Sequence, residues 1–191
     1  PLVSSSAASD VYKRQGNEFE KATIDINQLS SVYLARKCIE LEIKSFTFAS
    51  SCSVYGAGSD KPRTEKDLTN PLTSYARSKI GTEKELKNLR NLGNTKITCL
   101  RFATACGYSP NLRLDLVLND FVATALTSNS IKILSDGSPW RPLIDVEDMS
   151  RALYWSCIRD KGEPLEIINV GSPDWNFQIK KLAQSTKNVL G

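Results

Sequence analysis

Between residues 19 and 189 the chain alternates segments of helical period with short runs rich in aromatic and β-branched residues, and this alternation constrains the fold more than any other feature. Segment 19–42 carries Ile24, Ile26, Leu29, Val32, Leu34, Ala35, Cys38 and Leu41 at three- and four-residue spacing, which predicts one long helix. Lys44 to Ser50 (KSFTFAS) and Lys96 to Phe102 (KITCLRF) predict strands, with a helix over 74–92 between them, so the three form a βαβ unit. A helix at 114–127, a strand at 131–134, a helix at 146–159, a strand at 165–170 and a helix at 176–189 are expected to follow. The fold class is α/β, with a parallel sheet.

Composition removes several function classes. The 191 residues are 40% hydrophobic and 24% charged, enough to bury one sizeable core. The net charge is only +4 and the basic residues form no run, so a nucleic-acid surface is not expected. No stretch approaches the roughly 18 apolar residues of a membrane span, and no secretory signal pattern is seen at the start; a cytoplasmic enzyme is the expectation. Histidine is absent and the five cysteines form no CxxC pair, so neither a metal nor a Ser-His-Asp or Cys-His mechanism is expected. Proton transfer then falls to Tyr, Lys, Asp, Glu or a relayed hydroxyl.

Residues Ser5 to Gln15 (SSAASDVYKRQ) resemble the translation of a sequencing-library adapter, and residues 1–15 are expected to be a foreign or disordered tail. The loops 56–71 and 103–112, rich in Gly, Pro, Ser and Asn, directly follow predicted strands. Ligands gather there in parallel sheets.

A hydroxyl cluster, Ser50-Ser51-Cys52-Ser53-Val54-Tyr55-Gly56, stands at the end of the first strand, and Tyr75-Ala76-Arg77-Ser78-Lys79 follows about twenty residues on. On a helix Tyr75 and Lys79 lie one turn apart on one face and can serve one ligand together. The spacing alone is weak. Tyr33 and Lys37 repeat it inside the first helix, where no strand-end hydroxyls precede them, and are expected to be a packing residue and a solvated lysine.

The runs FASSCSVYG, SYARSK, LRFATACGYSP, SDGSPWRPLIDVEDM and INVGS, in that order, resemble the extended short-chain dehydrogenases, specifically their NAD-dependent epimerase/dehydratase branch, over residues 16–191. The resemblance implies a partial Rossmann-like doubly wound parallel sheet with its N-terminal strands missing. The cofactor-binding domain is expected over 16–110, and a small substrate-binding region with a returning sheet strand over 111–191. It implies Ser51, Tyr75 and Lys79 as the catalytic set. Asn27, Ser50, Phe102 and Thr104 join Tyr75 and Lys79 around the cofactor, NAD, with NADP remaining open. Ser51, Cys52, Ser53, Thr104, Asn119 and Arg141 are implied to contact a nucleotide sugar, and a homodimer through helices 19–42 and 74–92 is implied for the full-length parent.

The chemistry accounts for these residue types. A sugar hydroxyl loses its proton while hydride leaves the same carbon, so a base must stand beside the nicotinamide. A phenol has to be brought from about 10 to near neutrality to serve, about 4 kcal/mol, and the Lys79 ammonium can supply that while holding ribose hydroxyls. Ser51 can relay the proton or hold the sugar oxygen in line. The planar fork of Arg141 suits a diphosphate, with an arginine exposed beside Trp140 as the alternative reading. Asn119 and Arg113 are as well read as helix-start or surface residues. Dehydratases of the branch carry an Asp-Glu pair directly after their Ser or Thr. Cys52 and Ser53 stand there instead, so epimerisation or reduction is expected over dehydration.

Asp145 and Asp148 read as a reciprocal cap of the following helix, and Gly171 as a turn glycine. The glycine-rich pyrophosphate cradle of the family is not found in this chain and is expected to precede Gly16 in the parent. The polypeptide as it stands is therefore expected to bind NAD weakly or not at all, as an inactive binding module of a larger enzyme.

Overall fold

Strand β1, Ser45–Ser51, buries Phe48 and Ser50 on one face and half-buries Ser45, Thr47 and Ser51 on the other, where Ala49 stays exposed. In the computed structural model, which describes residues 20–56 and 61–190, Phe48 and Ser50 on one face meet the helices that flank the strand in sequence, while Thr47 on the other bonds the Ser156 hydroxyl at 2.7 Å. The expected foreign tail, 1–15, lies outside the described residues, as do positions 57–60 of the loop 56–71.

The chain divides into two compact units. Among the described residues, the first comprises 20–56, Arg63–Arg101 and Leu153–Asn169; the second comprises 61–62, Phe102–Ala152 and 170–190.

The first unit holds helices α1 (Glu20–Ile24), α2 (Ser30–Glu40) and α3 (Ser74–Lys87), and a sheet ordered β1–β2–β5, with β2 at Lys96–Phe102 and β5 at Leu165–Val170. The Lys96 N–H donates to Lys44 O and the Ile97 N–H to Pro164 O, so both neighbours begin where β2 begins, and the sheet is parallel. Ala35, Phe48, Leu86, Ile97 and Cys99 form its core. All but the first residue of β2 are buried, as expected of a central parallel strand.

The expected helix 19–42 is interrupted. Asp25–Leu29 is a π-helical turn, closed by the Ser30 N–H on Asp25 O, which widens the helix by one residue and turns Asn27 inward. Tyr33, expected to pack, is instead 59% exposed, and Lys37 pairs with Glu40 beside its ring. Helix α3 starts where the Thr73 hydroxyl accepts the Ala76 N–H at 3.1 Å, and ends at Lys87, not at 92. Beyond it Leu89 and Leu92 fold back onto the core, so their apolar spacing reports burial in a loop.

The second unit has a mixed sheet ordered β3–β4–β6, where β3 is Thr104–Cys106, β4 Trp140–Asp145 and β6 Asn176–Gln178. β4 runs parallel to β3, with Thr104 opposite Leu143, and antiparallel to β6, with Arg141 opposite Phe177. Helices α4 (Val117–Ser128) and α6 (Ile179–Leu190) pack through Phe121, Ile179, Leu182 and Ala183. No strand forms at 131–134: Ile131 and Ile133 fill the edge of this core without a hydrogen-bonded neighbour strand.

Helix α5 spans Val146–Ile158. Its expected reciprocal cap is one-sided. Asp145 accepts the Glu147 N–H at 2.8 Å, while Asp148 bonds Arg151 instead. Gly171 is not in the left-handed region; a Cβ there would stand 3.1 Å from that of Ala103, so close approach explains it.

Candidate functional site

Helix α3 places Tyr75 and Lys79 on one face as the four-residue spacing predicts. The Lys79 ammonium nitrogen is 5.3 Å from the centre of the Tyr75 ring and 4.9 Å from that of Phe48, on the β1 face that meets the helix. Lys79 is buried and Tyr75 half-buried. Two aromatic faces thus stabilise a cation withdrawn from bulk water, and fix where its nitrogen lies.

Ser51 closes β1. Its Oγ accepts the Ser53 N–H at 3.2 Å and the Ser53 hydroxyl at 3.0 Å, which starts the 3-10 turn Cys52–Tyr55. That turn docks on α3: Val54 and Tyr55, with Cys52 beside them, pack against Ile80, the residue after Lys79. The strand-end hydroxyls and the Tyr75–Lys79 pair are thereby tied to the same stretch of helix. Gly56 ends the turn at φ +80°, where a side chain would run into the backbone of Asn70.

Ser50 faces away from solvent and donates to Glu83 at 2.6 Å. Glu83 is also held by Arg101, with Arg101 Nη2 to Glu83 Oε2 at 2.6 Å. Burial works against the Arg101 charge, but the Glu83 carboxylate and the Tyr55 hydroxyl outweigh it and hold the guanidinium pKa above its ordinary value. This buried group was not foreseen from sequence. The available signal was an arginine next to the last residue of the predicted strand KITCLRF and a glutamate four residues beyond Lys79 on the same helical face.

Asn27 is buried in the π-helical turn. Its carbonyl accepts the Thr82 hydroxyl of α3 at 3.2 Å, and its Nδ2 has no hydrogen-bond partner among the described residues.

The remaining expected site residues belong to the second unit. Phe102 is buried at the end of β2 and Thr104 opens β3. Asn119 gives its amide to Arg113 O at 2.9 Å and so secures the approach to α4, which accounts for its burial without a ligand. Arg141 is exposed and donates to the adjacent Trp140 carbonyl at 2.9 Å. A concave site of about 290 Å³ in this unit is lined by Asp145, Asp148, Ser172 and Trp175, among others. Among the described residues there is no cluster of metal-ligating side chains, and no helix is long and apolar enough to cross a membrane.

Comparison with known proteins places the chain in a family. Protein CapI of Staphylococcus aureus is 29% identical over the whole chain, which covers 61% of that protein. A UDP-glucose 4-epimerase of Halalkalibacterium halodurans is 26% identical over 86% of the chain and 54% of its own length. Among solved structures, MoeE5 in complex with UDP-glucose and NAD superposes with a TM-score of 0.78 at 26% identity, over 92% of this chain and 57% of that one. The chain thus spans between about half and three-fifths of the length of these relatives. The family model for the NAD dependent epimerase/dehydratase family matches residues 3–171, and the chain, a Rossmann-like α/β protein, belongs to that NAD-dependent family.

Proposed function

We propose that this chain carries the reaction centre of an NAD-dependent nucleotide-sugar epimerase, with Ser51, Tyr75 and Lys79 as its catalytic residues and a UDP-hexose as its substrate. The observation that carries the proposal is the buried Lys79 ammonium 5.3 Å from the Tyr75 ring, on a helix docked against the turn that Ser51 begins. The UDP-hexose follows from the relatives: one is named a UDP-glucose 4-epimerase and another was solved with UDP-glucose and NAD.

The residues present suit the cofactor's nicotinamide end. Asn27 offers a buried Nδ2 with no partner among the described residues, and Lys79 offers an ammonium held beside two rings. Asn27, Lys79 and Tyr75 would hold the ribose, with Ser50 behind them, and Phe102 and Thr104 are proposed as further cofactor contacts. NAD, when bound, accepts hydride from the sugar carbon and can return it. Tyr75 takes the proton of the sugar hydroxyl at its phenolic oxygen, because the Lys79 charge favours the phenolate over the phenol. Ser51 Oγ holds that hydroxyl in line, and its bonds from Ser53 fix its own direction. Arg141 and Asn119 are proposed at the diphosphate and sugar ends, with Cys52 and Ser53 lining the approach.

Reduction without return of hydride is the second reading, and it uses the same residues. Dehydration is disfavoured because Cys52 and Ser53 supply no acid and base pair after Ser51. Exposed Leu29, Tyr33, Leu34 and Leu41 on the first helical segment support a homodimer through that surface, and five free cysteines support a cytoplasmic setting.

The proposal is tested by incubating the protein with millimolar NAD and a panel of UDP-hexoses and following ring protons by NMR. Inversion at one carbon supports it, whereas no turnover at saturating NAD supports the inactive binding module expected from the sequence instead. Conversion to a dehydrated 4-keto-6-deoxy product would replace epimerisation with elimination.

A further inference from the structure

We propose that Glu83 and Arg101 act as positioning residues that set Ser51 against Tyr75 and Lys79, and that Tyr55 extends the same brace to the loop 63–70; this rests on the reading of those three as the reaction centre. Glu83 and Arg101 are 1% and 4% exposed. Arg101 Nε reaches both carboxylate oxygens of Glu83, at 3.0 and 3.2 Å, and Nη2 reaches Oε2 at 2.6 Å. The Ser50 hydroxyl takes a further lone pair of Oε1 at 2.6 Å. The third edge of the guanidinium is used as well. Arg101 Nη1 donates to the Tyr55 hydroxyl at 2.7 Å, and that hydroxyl donates to Asn169 Oδ1 at 2.6 Å. Asn169 continues into the loop, with its Nδ2 on Arg63 O at 3.2 Å and its N–H on Glu65 Oε1 at 2.7 Å.

A buried ion pair is weak grounds for stability, because apolar residues of equal volume often serve as well. Direction is what this arrangement adds. Tyr75, Lys79 and Glu83 are spaced i, i+4 and i+8 on one helical face, and Glu83 holds the residue immediately before Ser51. One side chain therefore fixes how far α3 lies along β1, and with it the distance over which Ser51 and Tyr75 can share a sugar hydroxyl. Displacements of about 1 Å in such sites lower rates by about a hundredfold. Through Tyr55 and Asn169 the same bonds anchor the segment that leads back to Tyr75.

The test compares the parent protein with Ser50→Ala, Glu83→Gln and the volume-matched double variant Glu83→Leu/Arg101→Met. Thermal midpoints, amide hydrogen exchange over 51–56 and 63–70, and kcat and KM with a UDP-hexose and NAD are measured for each. A purely structural pair would alter stability with exchange spread over the whole unit. The brace predicts that the double variant melts within about 5 °C of the parent, while exchange at the two segments rises about tenfold or more. It also predicts that kcat falls at least about thirtyfold with KM within about threefold. Should the double variant fail to fold, Ser50→Ala and Glu83→Gln are expected to show the same local loss to a smaller degree. Unchanged exchange at 51–56 in those variants, or faster exchange with kcat intact, overturns the proposal. Absence of turnover in the parent contradicts the catalytic reading instead, and exchange then decides the brace: faster at 51–56 for it, unchanged against it.

Discussion

The ammonium nitrogen of Lys79 lies 5.3 Å from the centre of the Tyr75 ring, one helical turn away and shielded from water. If its charge is what makes the phenol a base, charge alone is insufficient without placement. Lys79→Met is expected to lower kcat by about 10²–10⁴-fold. Lys79→Arg keeps the charge but brings a larger, planar head into a slot fitted between two rings, and is expected to recover little of the loss. Steady-state kinetics on both variants, with circular dichroism to verify folding, checks this.

Phe48 forms the other wall of that slot, 4.9 Å from the same nitrogen. Phe48→Leu nearly preserves core volume and is expected to cost about 1 kcal/mol in urea denaturation. Its effect on activity should exceed what so small a loss of stability implies, since the ring fixes the ammonium as well as filling the core. Equal activity in the variant would show that Tyr75 and the backbone suffice to hold Lys79.

Gly56 ends the 3-10 turn at φ +80°, and a methyl group there would meet the Asn70 carbonyl. Gly56→Ala is expected to destabilise by about 2 kcal/mol or more, through both backbone strain and the displaced loop. The urea midpoint measures it.

The cysteines are expected to react with a maleimide in an order set by exposure and ionisation. Cys157, which is exposed, should label first, and Cys99 only on unfolding. Burial, with the Glu83 charge adding to it, pushes the Cys99 thiol up to about 12 from an ordinary value of 9.0. The unfolded thiol ionises from about pH 9 while the folded one stays protonated. Its contribution to stability is therefore complete below pH 9 and is lost as pH rises from 9 to 12, by up to about 1.4 kcal/mol per pH unit. Cys99→Ala should flatten that alkaline limb in pH-dependent denaturation.

Much of the first unit was legible in the sequence because its signals are local. The β2 run KITCLRF spans its strand end to end, and the Tyr75–Lys79 spacing needs only helical geometry to bring the pair together. The π-helical turn at Asp25–Leu29 was not legible, since one extra residue barely disturbs a mixed three- and four-residue apolar spacing. β4 was hidden by Pro142, which supplies no ladder N–H and argues against a strand between two neighbours; the flanking Leu143 N–H bonds Trp175 O instead. β3 and β6, at three residues each, are too short to show a period. The Glu83–Arg101 pair joins residues 18 apart that only the packing of α3 on the sheet brings together. For Asn119 the sequence allowed a ligand or a loop anchor, and the bond to Arg113 O favours the anchor.

The most direct measurement of the reaction-centre proposal is the rate of sugar inversion by the parent protein and by Tyr75→Phe, with NAD and UDP-hexose binding followed alongside by calorimetry. The expected result is a fall in turnover of at least about 10²-fold in Tyr75→Phe, far larger than the loss in either affinity. Turnover at the parent's rate in that variant would contradict the account, because the base would then have to be some other group.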